Sequence, residues 1–368
     1  MNAHTTRFAV IGTGNSGQAY AADIALKGYP VNLAEVPEFA GTLKAIQDKG
    51  GISIAGQASN GFARLDMITT DLQAAVAGVD VIIIGGSAHA HEPLSKALLP
   101  FLEDGQFILF TSNFGALRFQ KWLRESGRQV RVTPVETMSL PYAVRALSPG
   151  EVSCIGVKND LQTAALPASR TQAFLEAIQP VFPSLTAADS VWVTSVNNLN
   201  PIVHPPMVLF NAGRIEVTRG QGWNLYAEGA TESVARVMEA MDRERMELLG
   251  RISQNGLPFK QAFATLYRDY DLNRPTLSET LMQSPIHGDP AFPAPDSIDT
   301  RYLSEDIPFG LVPWARMGRM WGQPMPTVEA MIQVASIMLE KDFSTLGLSP
   351  EDLGLDGLTP EEVQGQLE

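Results

Sequence analysis

In the first half of the chain, short apolar runs alternate with segments whose apolar residues recur at helical spacing. The runs are rich in β-branched residues and predict buried strands at 7–12, 31–35, 79–84 and 106–110. Helical spacing predicts helices between them at 18–27, 39–49 and 92–101. Alternation of this kind predicts a parallel sheet with right-handed crossovers, which is the plan of a Rossmann domain.

From about residue 167 the pattern becomes predominantly helical. It predicts helices at 168–181, 190–210, 231–254 and 327–340, and the prolines at 201, 205 and 206 are expected to kink the second of these. A loop rich in proline, aspartate and glycine follows at 284–297. We therefore predict an α/β fold with two domains: a Rossmann domain over 1–188 and an all-helical domain over 189–368.

Composition narrows the function classes. The chain has 368 residues, of which 45% are hydrophobic and 18% charged, an ordinary mix for a globular protein. Its net charge of −13 and its lack of a Lys/Arg cluster argue against a nucleic-acid partner. The apolar runs are too short for a membrane span. Cys154 is the only cysteine and the N-terminus lacks the pattern of a secretory signal, so we expect a reducing cytoplasm.

A glycine-rich turn follows the first predicted strand and opens the first predicted helix. It has the pattern G-x-G-x-x-G and consists of Gly12, Thr13, Gly14, Asn15, Ser16 and Gly17. In this position the backbone N–H groups and the helix dipole are directed at a pyrophosphate. The alternative is a glycine turn that binds nothing, but the strand before it and the helix after it favour dinucleotide binding.

Glu35 ends the second predicted strand, where an acidic side chain accepts hydrogen bonds from the adenosine ribose hydroxyls. A carboxylate there repels a 2′-phosphate, and residues 36–38 provide no arginine to receive one. The sequence therefore favours NAD over NADP.

Two groups of histidines are candidates for metal binding or catalysis. His89 and His91 form an H-x-H pair after the third strand, which could ligate a metal; without a third ligand nearby, we favour a cofactor-facing loop with one solvent histidine. His204 lies in an apolar segment among prolines and the amides of 197, 198, 200 and 211, which are ready partners for both of its ring nitrogens. Spacing alone is as typical of a core histidine as of a catalytic one. The charged cluster at 299–306 is by itself typical of a solvated loop.

These segments resemble the opine dehydrogenases, which include octopine and nopaline dehydrogenases. The likeness rests on Gly12-Thr-Gly-Asn15, on Asn200-Pro-Ile-Val-His204-Pro, and on Thr300-Arg-Tyr302 continuing through Glu305-Asp306 to Gly310-Leu-Val-Pro313. It extends over nearly the whole chain, and the two C-terminal motifs are more specific than the glycine turn.

The resemblance implies a Rossmann domain facing a helical domain, with a catalytic dyad in the cleft formed by His204 and Asp306. It implies NADH-dependent condensation of an amino acid or amine with a 2-oxo acid such as pyruvate, and a homodimer built by the helical domain. Arg301 is the candidate to bind a substrate carboxylate, with an ion pair to Glu305 or Asp306 as the alternative. Glu136 is expected near the nicotinamide, without an assigned role.

The chemistry of this dyad agrees with the implied reaction. An aspartate that holds one imidazole nitrogen fixes the tautomer and stabilises the protonated ring. A protonated imidazole beside a carbonyl polarises it and supplies the proton that accompanies hydride delivery.

Two other functions stay open. Reduction of a 2-oxo acid alone, as in ketopantoate reductases, relies on a lysine in the second domain, and the only lysines after Lys158 are Lys260 and Lys341, outside any comparable motif. A non-catalytic NAD-binding sensor needs no His/Asp pair. The segments around Phe114, at 140–142 and at 284–298 depart from the family pattern. The amine substrate is therefore expected to differ from that of the resembled enzymes.

Overall fold

A computed structural model describes residues 5–253, 255–288 and 293–368. His4, the end of the helix predicted at 231–254 and part of the loop predicted at 284–297 therefore lie outside the described residues. The chain divides into two compact units. The first extends to Ser195 and includes Leu367–Glu368, and the second spans Val196–Gln366. The boundary that we predicted near residue 188 falls several residues before this division.

Strands occur only in the first unit among the described residues. They are β1 Phe8–Ile11, β2 Val31–Ala34, β3 Ile52–Gly56, β4 Gly61–Ala63, β5 Met67–Thr69, β6 Val81–Ile84, β7 Phe107–Thr111, β8 Thr133–Thr137, β9 Tyr142–Ser148, β10 Glu151–Val157, β11 Leu161–Ala165 and β12 Leu185–Ala187. The helices that accompany them are α1 Asn15–Leu26, α2 Ala40–Lys49, α3 Leu72–Val76, α4 Ala88–Leu98, α5 Gly115–Glu125, α6 Thr171–Ile178 and α7 Val191–Val196.

The central sheet has the order β12-β11-β8-β7-β6-β1-β2-β5. Its pairs are parallel except β8 with β11, which is antiparallel. The central strands β1 and β6 are buried along their whole length, which is why their sequences are continuously apolar. The predicted Rossmann plan is confirmed, and the four predicted strands match β1, β2, β6 and β7.

A second sheet, of order β4-β3-β10-β9, was not predicted. Only one face of its strands is covered: β10 alternates buried and more exposed residues, and β3 is partly exposed. Its strands are also broken by small residues, Gly56 and Gly156 among them. Such half-buried strands give a weaker sequence signal than the continuous runs of the central sheet.

The regular secondary structure of the second unit consists of helices throughout its described residues. Its helices are α8 Asn200–Leu209, α9 Ala212–Thr218, α10 Leu225–Gly229, α11 Glu232–Leu249, α12 Phe259–Leu266, α13 Leu277–Met282, α14 Arg301–Ser304, α15 Val312–Met320, α16 Pro326–Leu339, α17 Phe343–Leu346 and α18 Pro360–Leu367. Residues Ile307–Leu311 form a π-helix. The predicted all-helical character of this unit is confirmed.

Two helix predictions need correction. Residues 190–210 form α7 and α8 rather than one kinked helix. The break falls just before Pro201, because a proline suits the first turn of a helix and disfavours helix in the residue preceding it. The helix predicted at 168–181 is a 3-10 turn, Ala168–Arg170, followed by the shorter α6. Among the described residues, no helix has the length and apolarity needed to cross a membrane.

Candidate active site

Four of the seven predicted nucleotide-binding residues line one cavity of about 630 Å³ in the first unit. Gly12, Thr13, Gly14 and Glu35 lie in its wall, together with residues of the 85–94 segment and the exposed ring of Phe39. The cavity lies where the carboxyl ends of β1, β2 and β6 meet, which is the usual place for a ligand in an open α/β sheet.

The glycine turn is compact because its glycines lack side chains. Gly12 has a φ of +111°, and a Cβ added at Gly17 would lie 1.9 Å from the Gly12 carbonyl oxygen. This contact lets the first turn of α1 lie directly against the end of β1. The N–H groups of Asn15, Ser16 and Gly17 have no partner within the helix and, with the helix dipole, suit an anionic group.

Glu35 is held in place by the same turn. One of its carboxylate oxygens accepts hydrogen bonds from the Thr13 N–H at 2.8 Å and the Thr13 hydroxyl at 2.9 Å. The other accepts the N–H of Val36 at 3.0 Å. The carboxylate is thus fixed at the cavity wall with lone pairs remaining for a diol. The residues present fit the adenosine and pyrophosphate parts of a nicotinamide dinucleotide.

The other predicted residues of the turn differ in what their side chains do. The side-chain oxygen of Asn15 accepts the N–H of Ala146 at 3.0 Å, so this amide connects the turn to β9. Ser16 is partly exposed. The Asn15 side chain therefore has a structural role in addition to any role of its backbone N–H toward a pyrophosphate.

His89 and His91 lie on α4 and point to different sides of it, because residues two apart on a helix do not share a face. His89 is exposed and lines the cavity. His91 is fully buried, with its ring edge-on to Phe110 and no hydrogen-bond partner for either nitrogen among the described residues. Burial, together with the charge of Arg118, lowers the pKa of His91 to about 3. No group of three metal-binding side chains occurs in the part of the chain that the structure describes.

Replacing Glu35 with alanine is expected to weaken NADH binding about tenfold, because a charged acceptor for hydrogen bonds is lost. The same change is expected to narrow the difference between NADH and NADPH, since the repelling carboxylate is removed. Fluorescence titration with each cofactor measures both effects. Glu38→Ala is the matched control, because Glu38 is exposed on the adjoining 3-10 turn and does not line the cavity. If both cofactors bind Glu35→Ala as they bind the wild type, Glu35 does not belong to the cofactor site.

Glu136 lies near the end of β8 and is completely buried. Its carboxylate accepts hydrogen bonds from the hydroxyls of Ser195 and Thr194 and from the N–H of Ala116 at the start of α5. Burial raises the pKa of Glu136 to about 7, although these hydrogen bonds oppose the shift. The residue therefore joins β8, α5 and α7 within the first unit. Sequence reasoning placed it near the nicotinamide without a role, and nothing in its pattern indicated these partners.

The raised pKa of Glu136 predicts a pH-dependent stability. Between pH 4.5 and about 7 the folded chain retains a proton that the unfolded chain releases. The free energy of unfolding therefore decreases as the pH rises through this window, by on the order of 3 kcal/mol from this group. Glu136→Gln is expected to lose that part of the slope, which denaturant unfolding at several pH values measures. Glu125→Gln, on the exposed end of α5, is expected to retain it. An unchanged slope in Glu136→Gln would contradict the assignment.

In the second unit, His204 and Asp306 meet although 102 positions separate them along the chain. The Nδ1 atom of His204 lies 2.6 Å from a carboxylate oxygen of Asp306. Both side chains are nearly buried, so the pair is shielded from water. The structure thus brings together the two residues that the resemblance identified as a dyad.

Close packing of the π-helix against α8 sets this contact. Asp306 immediately precedes the π-helix, a rare conformation that occurs frequently at functional sites. A Cβ added at Gly310 would lie 2.3 Å from the Pro201 ring, so only glycine permits this approach. The two family-like motifs therefore contain the residues that make the approach as well as the dyad.

The neighbouring amides are not the partners that the structure gives to the ring nitrogens of His204. Its second ring nitrogen, Nε2, lies 3.0 Å from the Tyr226 hydroxyl, and the Tyr302 ring stacks on the imidazole with centroids 4.1 Å apart. Asn197 instead accepts a hydrogen bond from the buried Arg245, and Asn211 donates to backbone carbonyls. An amide cannot balance the charge of a protonated imidazole as a carboxylate does, which favours Asp306 as the partner.

Arg301 begins α14, five positions before Asp306. Desolvation alone would lower its pKa, but the carboxylates of Glu305 and Asp306 outweigh that effect and raise it, although the residue as a whole remains exposed. The guanidinium is therefore a permanent positive charge near the dyad, with donors suited to a carboxylate.

Comparison with known proteins shows the family to which the chain is related. Residues 187–339 match the family described as "NAD/NADP octopine/nopaline dehydrogenase, alpha-helical domain". The chain is 34% identical to the opine dehydrogenase of Arthrobacter sp. (strain 1C), covering 98% of each chain. Its fold is similar to that of an octopine dehydrogenase solved with NADH and agmatine, with a TM-score of 0.78, 19% identity and 98% of each chain covered. A ketopantoate reductase from Ralstonia eutropha JMP134 is less similar, with a TM-score of 0.61 and 18% identity over 92% of this chain and 99% of that one.

The fold and these relatives define an oxidoreductase that uses a nicotinamide dinucleotide. The chain belongs to the opine dehydrogenase family. The resemblance seen in its motifs is confirmed by a match that covers 98% of the chain.

Proposed function

We propose that the chain catalyses the NADH-dependent reductive condensation of an amino acid or amine with a 2-oxo acid such as pyruvate. The product is an N-(carboxyalkyl)amino acid. Each turnover consumes one NADH and one proton and releases one water. The observation that carries the proposal is the buried contact of 2.6 Å between His204 and Asp306 in a chain of this family. The amine, agmatine, in the octopine dehydrogenase complex supports an amine as one of the two substrates.

The residues of the second unit supply the acid–base chemistry. The Asp306 carboxylate accepts a hydrogen bond from the Nδ1–H of His204, so the imidazole releases and accepts its second proton at Nε2. That proton activates the carbonyl of the 2-oxo acid toward the amine and leaves with its oxygen as water when the imine forms. Asp306 balances the positive charge on the ring between these steps. Arg301 holds the carboxylate of the 2-oxo acid, which orients the carbonyl. The nicotinamide, when bound, supplies the hydride that reduces the imine.

The first unit binds the cofactor. In our proposal Gly12, Thr13 and Gly14 form the floor of the pyrophosphate site, and the first-turn N–H groups of Asn15, Ser16 and Gly17 bind its oxygens. Glu35 accepts the ribose hydroxyls and disfavours a 2′-phosphate. The preferred cofactor is therefore NADH rather than NADPH.

We also propose that the enzyme is a homodimer in a reducing cytoplasm. The single cysteine, Cys154, is buried, so the fold requires no oxidising compartment. On α16 the apolar side chains of Val334, Ile337 and Met338 are exposed at helical spacing, and a second copy would remove them from water. Sedimentation equilibrium that gives the mass of one chain would contradict the dimer.

The proposed reaction is tested by NADH consumption in a matrix of conditions. The enzyme is given pyruvate alone, a pool of amino acids alone, and both together. We expect consumption only with both, and division of the pool then identifies the amine. Consumption with the 2-oxo acid alone, at the same rate as with both, would make the enzyme a 2-hydroxy acid dehydrogenase.

A further inference from the structure

In this structure both ring nitrogens of His204 have a protein partner. Nδ1 faces the Asp306 carboxylate at 2.6 Å, and Nε2 faces the Tyr226 hydroxyl at 3.0 Å. A carboxylate retains the proton on the nitrogen that it faces, so proton transfer takes place at Nε2. A proton that leaves Nε2 therefore meets the phenolic oxygen of Tyr226 first.

We propose that Tyr226 is the third member of a proton chain, Asp306–His204–Tyr226, and that its hydroxyl passes the His204 proton to the substrate oxygen. This inference rests on the proposed function, since it assigns the route of a proton in that reaction.

The local structure fixes the position of the Tyr226 hydroxyl. Tyr226 lies in the first turn of α10, and the Asn224 side chain caps this helix by accepting the N–H groups of Tyr226 and Ala227 at 2.9 and 2.8 Å. The Asn224 amide also donates to the His287 carbonyl at 3.0 Å, and the His287 ring packs on that of Tyr226 with centroids 4.5 Å apart. Backbone, cap and ring contact thus hold the phenol toward the imidazole.

The orientation of the two rings also suits proton transfer. The rings of Tyr226 and His204 are perpendicular, with an interplanar angle of 90°. The stacked ring on His204 is that of Tyr302, which covers a face of the imidazole rather than a nitrogen. The Tyr226 hydroxyl is therefore the hydrogen-bond partner of Nε2, whereas Tyr302 packs on the ring face, so the two tyrosines beside His204 have different roles.

Tyr226 donates a proton only as another arrives. Burial raises the pKa of Tyr226 well above its ordinary value, and the surrounding Tyr302, Tyr267 and Asp306 act in the same direction while Arg301 opposes them. A free phenolate is therefore disfavoured. The hydroxyl proton moves to the substrate oxygen, whose bond to carbon breaks as water leaves. The Nε2 proton of the imidazolium moves to the phenolic oxygen in the same step, which leaves neutral His204 and an intact hydroxyl.

The first test removes only the hydroxyl. Tyr226→Phe is expected to lower kcat about 10²-fold, the lower range for the loss of a positioned proton donor, with NADH binding unchanged. Tyr29→Phe is the matched control, because Tyr29 packs on Phe8 in the first unit. A wild-type kcat in Tyr226→Phe would overturn the proton chain and leave the proposed function in place.

A second test separates proton transfer from support of the imidazole. Fluorinated tyrosine at position 226 retains the ring and the hydroxyl and lowers the phenol pKa. If the hydroxyl donates the proton, kcat is expected to change progressively with the number of fluorine atoms and the solvent isotope effect to change with it. A kcat independent of fluorination would reduce Tyr226 to a structural support and overturn its place in the chain.

A third readout needs no turnover. In protein labelled with ¹⁵N-histidine, the His204 signals are assigned by their loss in His204→Ala, and the Nε2 resonance is expected to shift in Tyr226→Phe but not in Tyr29→Phe. An unshifted resonance would show that the hydrogen bond to Tyr226 is absent and overturn the chain. If the resonance shifts in Tyr226→Phe but the wild type consumes no NADH with amine and 2-oxo acid, the hydrogen bond is present and the proposed function is overturned instead.

Discussion

Replacing His204 with alanine is expected to lower kcat/KM by roughly 10³- to 10⁴-fold. The change removes the imidazole that is the source of the proton when the carbonyl is attacked and when water leaves, so both steps lose their acid. It also leaves Asp306 buried without its partner. The expected loss is therefore near the upper end for a general acid–base residue.

NADH binding separates this effect from a failure to fold. The predicted nucleotide site belongs to the first unit and His204 to the second. Titration of His204→Ala with NADH is therefore expected to give a Kd within about twofold of the wild-type value. Turnover at the wild-type rate would remove His204 from the catalytic site. Loss of both turnover and NADH binding would indicate an unfolded variant, and His204→Asn, which retains a polar side chain beside Asp306, is the substitute.

Replacing Asp306 with asparagine is expected to lower kcat about 10²- to 10⁴-fold with little change in NADH binding. An asparagine amide can donate to Nδ1 and so favours the tautomer that carries its proton on Nε2. In that tautomer the neutral ring cannot accept a proton at Nε2, and the charge that stabilised the imidazolium is gone. The measurement is kcat for the condensation over a range of pH.

Asp299→Asn provides the matched control for this variant. Asp299 lies in the same unit and forms an exposed ion pair with Lys341 at 2.8 Å, so the net charge of the chain changes equally. We expect it to retain wild-type turnover, because exposed pairs of this kind contribute little. If Asp306→Asn also retains wild-type turnover, the dyad is not the acid–base centre.

The sequence predicted the parts of the fold whose signal is local. The strands β1, β2, β6 and β7 are apolar runs, and their burial on both faces makes the runs continuous. The glycine turn is equally local, since its pattern follows from the contact between Gly12 and Gly17. The second sheet escaped prediction because its half-buried strands depend on partners far along the chain.

The candidate site was predictable only in part, for the same reason. The dyad was predicted from the family resemblance, because spacing alone could not relate His204 to a residue 102 positions away. Tyr226 was missed since it lies in a five-residue helix without a motif, and only the fold brings it to Nε2. The amides near His204 in sequence were chosen in its place, although residues close along a helix often face other directions.

The fate of the transferred hydride tests the central claim most directly. The enzyme is given pyruvate, the amine that supports turnover, and NADH deuterated at the C4 position of the nicotinamide, and the products are analysed by mass spectrometry. Reductive condensation predicts one new secondary amine whose mass is that of the two substrates less one water plus one deuterium and one hydrogen, with the deuterium on the former carbonyl carbon. Deuterium found in lactate, with the amine unchanged, would contradict the account.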